Sequence, residues 1–190
     1  ELYRIPYECP ALDANFRIVK DDYYKENGGV ILANPNAPTA IYENQEFIED
    51  IVKHNQDVIV IVDEAYIDFA GESVLDLIRK YDNLIVVQTF SKARSMAGMR
   101  IGYAIANPTL IKYLNDAKYS FNSYTMNQTS LVCGVEAVKD KAYFEEQLQK
   151  IVETREWTKK QLEELGFTFP DSKTNFIFAT HEKYEAKELF

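Results

Sequence analysis

Three short apolar runs, each followed by polar residues, constrain the fold of this chain more than any other feature. The runs are Val30–Ala33, Val58–Val62 and Leu84–Val87, and they are rich in β-branched residues. Runs of this length and composition are typical of strands buried in a parallel sheet. Glu43–His54 has apolar residues at helical spacing, and Ser73 is a suitable cap for a second helix. This alternation predicts an α/β protein with a doubly wound, mostly parallel sheet.

The rest of the chain predicts one more strand of this sheet, three helices and a second, smaller unit. Ile101–Ala106 follows the third run too closely for a parallel crossover with a helix, which favours an antiparallel strand. Helices are predicted over Thr109–Lys118, Met126–Lys139 and Tyr143–Leu165, with Gly166 as the last C-cap. Short strands are predicted at Leu2–Ile5, Phe16–Ile18, Phe167–Pro170 and Asn175–Ala179, with a final helix from about Lys183.

These elements divide the chain into three parts. Residues 1–142 are expected to belong to a large α/β domain, and residues 143–166 to a long connecting helix. Residues 167–190 are expected to begin a smaller α+β domain. The fold prediction is therefore a mostly parallel α/β sheet followed by the start of a second domain.

Composition and charge exclude several classes of function. Acidic residues outnumber basic ones by 30 to 21, and the net charge at pH 7 is −9, so no nucleic-acid partner is expected. No apolar stretch approaches the ~20 residues that span a bilayer, and no signal peptide is visible. A cytoplasmic location without a membrane partner is therefore expected. Cys9, Cys133, His54 and His181 are too scattered for a disulfide framework or a metal centre.

Polar residues follow each of the three apolar runs. They lie in Asn34–Thr39, Asp63–Tyr66 and Thr89–Lys92. Ligands of open α/β sheets bind at the carboxyl ends of parallel strands, so these segments are expected to converge. Lys92 has hydroxyl residues before it and Arg100 after it. Such a set suits a phosphate-bearing aldehyde, because the amine condenses with the carbonyl while hydroxyls and guanidinium bind the phosphate.

The chain resembles a known family in three separate motifs. They are NPNAPT at 34–39, VDEAYIDF at 62–69 and TFSKARSMAGMRIGY at 89–103. Together they resemble the fold-type I aminotransferases, which use pyridoxal phosphate (PLP), and the likeness runs through residues 1–190. It implies a PLP-dependent homodimer that exchanges amino groups between small amino and keto acids.

The motif wording is closest to the branch of this family that acts in histidine biosynthesis. It implies amino transfer from L-histidinol phosphate to 2-oxoglutarate, which yields imidazole-acetol phosphate and L-glutamate. Aromatic amino-acid aminotransferases and threonine-phosphate decarboxylase share the third motif, which contains Lys92, and are alternative functions.

The resemblance assigns cofactor roles to residues in two of the motifs. Lys92 corresponds to the lysine that forms the Schiff base and then carries a proton to and from the substrate carbon. Asp63 corresponds to the partner of the protonated pyridine nitrogen, and Tyr66 to the tyrosine that bonds the phenolic oxygen. Ser91 and Arg100 correspond to phosphate ligands, for which the forked guanidinium is suited. Thr89 is a further phosphate-binding candidate.

The first motif, NPNAPT at 34–39, departs from the family pattern. The family's cofactor-binding asparagine falls on Ala37, and the usual glycine falls on Ala40. Either Asn36 takes over the contact through a shifted loop, or Asn34–Pro35 only shapes the turn. Asn36 is retained as a cofactor-binding candidate.

Further candidates and alternatives are weaker. Asn122, Tyr124 and Asn175 border the substrate pocket in relatives, whereas Glu64 has no assigned role and Arg94 is interpreted as a surface residue. The family's early phosphate-binding loop, ring-stacking aromatic residue and late substrate arginine are not found, so the chain resembles a central half of the enzyme. An inactive folded fragment is one alternative. A P-loop ATPase is another, suggested by VIVIVDEAY, but its required G-x-x-x-x-G-K-[ST] stretch is absent.

Overall fold

The computed structural model describes residues 4–189 and is built around a four-stranded sheet. In spatial order the strands are β1 (Val30–Ala33), β2 (Val60–Asp63), β3 (Leu84–Thr89) and β4 (Gly102–Ala106). The first three strands are parallel, and β4 is antiparallel to β3. The predicted α/β class and the predicted antiparallel last strand are therefore confirmed.

Helices connect and flank the strands. The α-helices within residues 4–189 are α1 (Gln45–His54), α2 (Pro108–Phe121), α3 (Gln128–Lys139), α4 (Lys141–Glu164) and α5 (Ala186–Leu189). The first four begin at a side-chain cap supplied by Asn44, Asn107, Asn127 or Asp140. Gly166 follows α4 with a φ of +87°, as expected for a glycine that ends a helix. None of these helices is both long and apolar enough to cross a membrane.

The hydrophobic core lies on one face of the sheet. Alternate residues of the parallel strands point to this face and pack against α1 and the segment that precedes β3. The core residues are Val30, Leu32, Ile48, Ile51, Val52, Val60, Val62, Val74, Leu77, Leu84 and Val86. On the opposite face Ile31 is 73% exposed, so the β1 end of that face is open. Toward β3 the same face is covered, since Ile85 is 4% exposed.

The segment before β3 is a 3₁₀-helix rather than the predicted α-helix from Ser73 to about Tyr81. It spans Val74–Arg79, and Ser73 caps it as expected, with its Oγ accepting the Leu75 N–H bond at 3.1 Å. A 3₁₀-helix repeats every three residues, which aligns Val74 with Leu77. Both are fully buried against the sheet, so burial favours the tighter helix over the α-helical period.

Two predicted strands near the start of the chain are not observed as such. Leu2–Ile5 begins outside the described residues, and its last two positions are irregular. Phe16–Ile18 is also irregular, which corrects the prediction. The Asp13 carboxylate accepts bonds from the backbone N–H groups of Asn15 and Arg17, at 2.8 and 2.9 Å, and Phe16 has a φ of +62°. This local turn replaces extended structure.

The end of the chain contains a second, two-stranded sheet. β5 (Phe167–Thr168) pairs with β6 (Thr180–His181) in antiparallel register. The predicted strand Asn175–Ala179 is wrong, because the buried hydroxyls of Ser172 and Thr174 bond the Phe176 carbonyl and bend this segment. The final helix, α5, begins at Ala186 rather than near Lys183.

Candidate active site

The sheet register brings the ends of β2 and β3 together on the open face. Asp63, the last residue of β2, pairs with Val87 and with Ala33. Paired residues of a parallel sheet point to one face and alternate residues return to it, so Thr89, two residues beyond Val87, shares the face of Asp63. The two side chains are separated by about 7 Å along the strand direction. On this face Asp63 is exposed and Thr89 is half-buried, whereas Ile85 of β3 is 4% exposed, so the face is accessible mainly toward β1 and β2.

The amine of Lys92 lies over a tyrosine from the neighbouring strand end. Lys92 Nζ is 5.1 Å from the centroid of the Tyr66 ring, a distance suited to a cation–π contact. The Tyr66 ring also packs edge-on against Phe176, with the ring centroids 5.1 Å apart. Residues 90–101, here called the lysine loop, are closed by backbone bonds from Ser95 N to the Lys92 carbonyl at 3.0 Å and from Met96 N to the Phe90 carbonyl at 3.1 Å. Two of the three motifs therefore meet at Lys92 and Tyr66.

Thr89 and Ser91 form a pair of hydroxyls directly before the lysine. Thr89 Oγ1 donates to Ser91 Oγ at 3.0 Å and accepts the Ser91 backbone N–H bond at 3.1 Å. The Ile101 carbonyl, 3.1 Å from Thr89 Oγ1, is the alternative acceptor for the same proton. When Thr89 donates to Ser91, the Ser91 hydroxyl proton is available for an anion. Both side chains are half-buried, as expected for groups at the rim of a site.

The Arg100 side chain folds back onto its own turn instead of reaching Thr89 and Ser91. Its backbone adopts the left-handed conformation, with a φ of +56°, and its exposed side chain donates through Nη1 to the Ala97 carbonyl at 2.8 Å. The guanidinium makes no hydrogen bond to Thr89 or Ser91 among residues 4–189. The sequence-predicted phosphate set is thus only partly assembled.

The two asparagines of the first motif have different contacts. Asn34 is 1% exposed, and its side chain bonds both backbone groups of Glu43. It accepts the Glu43 N–H bond at 2.8 Å and donates to the Glu43 carbonyl at 2.9 Å. Asn34 therefore shapes the turn. Asn36 donates through Nδ2 to Thr39 Oγ1 at 2.8 Å and through its backbone N–H to Ile41. Its amide is engaged within its own loop, and its role toward a cofactor stays a prediction.

Glu64 was assigned no role from the sequence, yet it organises the strand ends. Its side chain is 1% exposed and accepts bonds from Ser73 Oγ at 2.6 Å, Val74 N at 2.8 Å and Gln88 Nε2 at 2.8 Å. Gln88 in turn accepts a bond from the Tyr103 hydroxyl at 2.7 Å. Burial raises the pKa of the Glu64 carboxyl, and the three bonds act in the opposite direction. This network joins β2, β3 and β4 directly behind Asp63.

Arg94 is also different from its sequence interpretation as a surface residue. It is half-buried and donates through Nη1 to the Ala137 carbonyl at 2.7 Å. Its guanidinium carbon lies 4.1 Å from the Phe144 ring centroid and 5.1 Å from that of Phe90. The partners on α3 and α4 lie more than 40 residues away in sequence, so nothing in the local motif signals them.

The weaker candidates lie around the rim or away from it. Tyr124 is 93% exposed, and Asn122 is exposed beside it. Asn175 lines a cleft of about 440 Å³ against α4, together with Phe176, which packs on Tyr66. No cluster of His, Cys, Asp and Glu in the described part of the chain could hold a metal ion.

Comparison with known proteins decides the family. The model of "Aminotransferase class I and II" matches residues 1–190. The chain belongs to this family. It is 50% identical over 190 residues to the histidinol-phosphate aminotransferase of Lactococcus lactis subsp. lactis, covering 100% of this chain and 53% of that protein. The enzyme of the same name from Brachyspira hyodysenteriae is 52% identical over 180 residues, covering 94% and 51%.

Solved structures of this family share the fold. The histidinol-phosphate aminotransferase of Clostridium acetobutylicum matches with a TM-score of 0.85 at 28% identity, over 94% of this chain and 56% of that one. The enzyme from Sinorhizobium meliloti, solved in complex with pyridoxal-5'-phosphate, matches with a TM-score of 0.74 at 26% identity, over 82% and 43%. The chain spans about half the length of the curated relatives it matches.

Proposed function

We propose that this protein is a PLP-dependent aminotransferase in which Lys92 binds the cofactor's aldehyde. The observation that carries the proposal is the Lys92 amine lying 5.1 Å from the Tyr66 ring, at the sheet edge where Asp63 and Thr89 share one open face. Membership of the aminotransferase family supports it, as does the S. meliloti relative solved with PLP.

The donor set at this edge fits PLP group by group. Lys92 offers an amine for the aldehyde, Asp63 an exposed carboxylate for the ring nitrogen, and Tyr66 a phenol for the phenolic oxygen. Thr89 and Ser91 offer paired hydroxyls for the phosphate. Arg100 completes this set if its exposed side chain turns away from the Ala97 carbonyl. Asn36 is retained as a ligand that requires the Thr39 bond to open.

The chemistry is divided between the cofactor and the chain. PLP, when bound, supplies an electron-withdrawing ring that stabilises negative charge at the substrate carbon. The Lys92 amine would take the proton from that carbon and pass it to the cofactor within the same half-reaction, and it would move a proton in the reverse direction with the keto acid. The Asp63 carboxylate holds the ring nitrogen in its protonated form, and the Ser91 hydroxyl holds the phosphate end in place.

We further propose the substrates that the sequence resemblance implies. They are L-histidinol phosphate and 2-oxoglutarate, with imidazole-acetol phosphate and L-glutamate as products. Curated relatives about 50% identical to this chain carry the name histidinol-phosphate aminotransferase, which supports the choice. A neighbour at 25% identity and a TM-score of 0.76 is a decarboxylase from Sulfurospirillum multivorans, so a decarboxylase is the second candidate.

A substrate panel separates these functions. The whole protein is mixed with PLP, 2-oxoglutarate and either L-histidinol phosphate or an aromatic amino acid, and glutamate is measured. Histidinol phosphate is expected to give a kcat/KM at least about tenfold higher, because a site that pairs a substrate's polar groups rejects analogues lacking them. Release of carbon dioxide from a phosphorylated amino acid without glutamate would instead identify a decarboxylase.

The Asp63 carboxylate gives a second test of the proposed chemistry. Asp63→Asn keeps the shape of the side chain and removes its charge. The variant is expected to bind PLP while kcat falls about 10²- to 10³-fold, because the ring nitrogen loses the charge that keeps it protonated. Turnover and PLP binding are measured separately, with Asp57→Asn, an exposed change before β2, as the control. Near-normal kcat in Asp63→Asn would contradict the assigned pairing.

We also propose a cytoplasmic homodimer with a domain division at residues 1–142, 143–166 and 167–190. The division is supported by the two-stranded sheet that begins after the long helix α4. The dimer is supported by four apolar side chains of α3 that are each about half exposed: Leu131, Val132, Val135 and Val138. Sedimentation of the whole protein tests it, and a monomer at high concentration would contradict it.

A further inference from the structure

Arg94 connects the lysine loop to the corner between α3 and α4. Its Nη1 donates at 2.7 Å to the carbonyl of Ala137, in the last turn of α3, where helical carbonyls have no partner in the helix. The negative end of the helix dipole favours a cation at this position. The Phe144 ring, from the first turn of α4, lies 4.1 Å from the guanidinium carbon. Arg94 thus binds both helices at once.

The far end of the lysine loop is held from α3, where Ser130 Oγ donates to the Met99 carbonyl at 2.7 Å, and the end near Lys92 needs an anchor of its own. Ser95 and Arg100 both adopt a left-handed backbone, with φ values of +54° and +56°, which costs a non-glycine residue free energy. Within the loop, short backbone bonds close it from Phe90 to Met96 and from Lys92 to Ser95. These bonds fix the shape of the loop, but they do not fix where the loop sits relative to Tyr66.

Arg94 is well placed to hold the lysine loop. Phe90, which lies between Thr89 and Ser91 in the sequence, contributes the second ring, 5.1 Å from the guanidinium carbon. Burial raises the pKa of the Asp68 carboxyl, two residues after Tyr66, and the charge of the Arg94 guanidinium opposes that shift. Arg94 is therefore stacked near Phe90, before Lys92, and in contact with the helices α3 and α4.

We propose that Arg94 is a positioning residue that holds the Lys92 amine over Tyr66 through its bond to Ala137 and its stacking on Phe144. The inference rests on the proposed function, because it assigns the held amine to cofactor capture. Arg94 itself does not touch the cofactor in this account. Its effect is to fix the loop so that the amine approaches the aldehyde from one direction.

The test measures the rate at which PLP becomes attached to Lys92 in the whole protein, trapped with borohydride at successive times. Arg94→Met keeps the length and apolar stem of the side chain and removes the guanidinium. It is expected to slow attachment about 10- to 100-fold, the range expected when a reacting group is displaced by about 1 Å. Arg94→Lys, which keeps the charge and a donor, is expected to recover part of the rate. Lys139→Met, at the same end of α3, is the control and should match wild type.

A second readout needs no cofactor. In the cofactor-free protein, amide hydrogen exchange over residues 90–101 is expected to be faster in Arg94→Met than in wild type and unchanged in Lys139→Met. If Arg94→Met is too unstable to purify, Phe144→Leu takes its place. This variant keeps an apolar side chain but removes the ring, and it should slow PLP attachment and speed amide exchange. The thermal unfolding midpoint of every variant is recorded alongside.

The outcomes separate the inference from the function on which it rests. Attachment at the wild-type rate in Arg94→Met, or equal slowing in the Met and Lys variants with a lowered unfolding midpoint, would overturn the positioning role. Slowing seen at neutral pH but absent at alkaline pH would assign Arg94 an electrostatic effect and would also overturn it. Absence of attachment in the wild-type protein would overturn the proposed function itself.

Discussion

Replacing Lys92 by alanine is expected to abolish PLP attachment and to lower the transamination rate about 10⁴-fold or more. The effect is large because the substitution removes two functions at once, cofactor capture and proton transfer. Kinetics of glutamate formation and the visible absorbance of the PLP-loaded protein measure the two losses. Thermal unfolding of the variant should remain close to that of wild type, since Lys92 is half-buried and its described contact is with one ring.

Lys118→Ala is the matched control for this change. Lys118 is an exposed lysine of α2, and its amine also lies over a tyrosine ring, 5.2 Å from the centroid of Tyr119. The same side-chain deletion thus removes the same kind of contact at a position away from the sheet edge. PLP attachment and turnover should both stay near wild type. Similar losses in the two variants would remove Lys92 from its proposed role.

Replacing Glu64 by leucine is expected to produce a large loss of stability. The substitution leaves three donors without their acceptor in a buried site: Ser73 Oγ, Val74 N and Gln88 Nε2. An unsatisfied buried donor costs about 1–3 kcal/mol, and partial rearrangement reduces the sum, so the free energy of unfolding should fall by about 3 kcal/mol. Urea unfolding monitored by fluorescence measures it. Glu72→Leu, at an exposed position of the same segment, should change it by less than about 0.5 kcal/mol.

The titration of Glu64 adds a pH dependence with a defined sign. Burial raises the pKa of this carboxyl above its ordinary value of 4.5. The folded state then binds the proton more tightly than the unfolded state, so this group stabilises the fold most below pH 4.5 and progressively less as the pH rises through the folded pKa. Glu49 and Asp50, whose pKa values are lowered by hydrogen bonds, act in the opposite direction.

A comparison with Glu64→Gln isolates this effect from the other carboxyl groups. The Gln variant does not titrate at position 64, whereas every other group is shared with wild type. The unfolding free energy of wild type minus that of Glu64→Gln should increase as the pH is lowered from neutral toward 4.5. A difference that stays level or decreases over this range would contradict a buried carboxyl with a raised pKa.

The sequence predicted the sheet and the meeting of the second and third motifs at one edge because both depend on local patterns. β-Branched runs identified the parallel strands, and the polar residues after them had to meet at one edge once the strands were in register. The contact between Lys92 and Tyr66 is a consequence of that register. The antiparallel strand Gly102–Ala106 was predictable in the same way, since the connection before it is too short for a crossover helix.

What the sequence did not predict depends on contacts between distant residues. The segment Val74–Arg79 is a 3₁₀-helix because Val74 and Leu77 are drawn to the sheet, a tertiary effect that exceeds the local helical preference. Glu64 has a structural role because it accepts bonds from Ser73 and Gln88, which lie nine and 24 residues away in sequence. The signal for Glu64 was nevertheless present, because an acid one residue after an accessible strand end must point toward the packed face.

Arg94 illustrates the harder case. Its neighbours in the lysine motif are small or polar, which suggests solvent, while its partners lie on α3 and α4. Arg94 gains its contacts with Ala137 and Phe144 only because α3 and α4 pack against the lysine loop. Residues that support a site from behind are therefore found from the structure, whereas residues that face the ligand can be found from the motif.

The most direct test of the central claim is the identity of the lysine that PLP modifies. The whole protein is incubated with PLP, reduced with borohydride, digested and mapped by mass spectrometry. One modified peptide is expected in stoichiometric yield, the one that contains Lys92, and it should be lost in Lys92→Ala. Stoichiometric modification at a different lysine, or the same modest labelling spread over many exposed lysines, would contradict it.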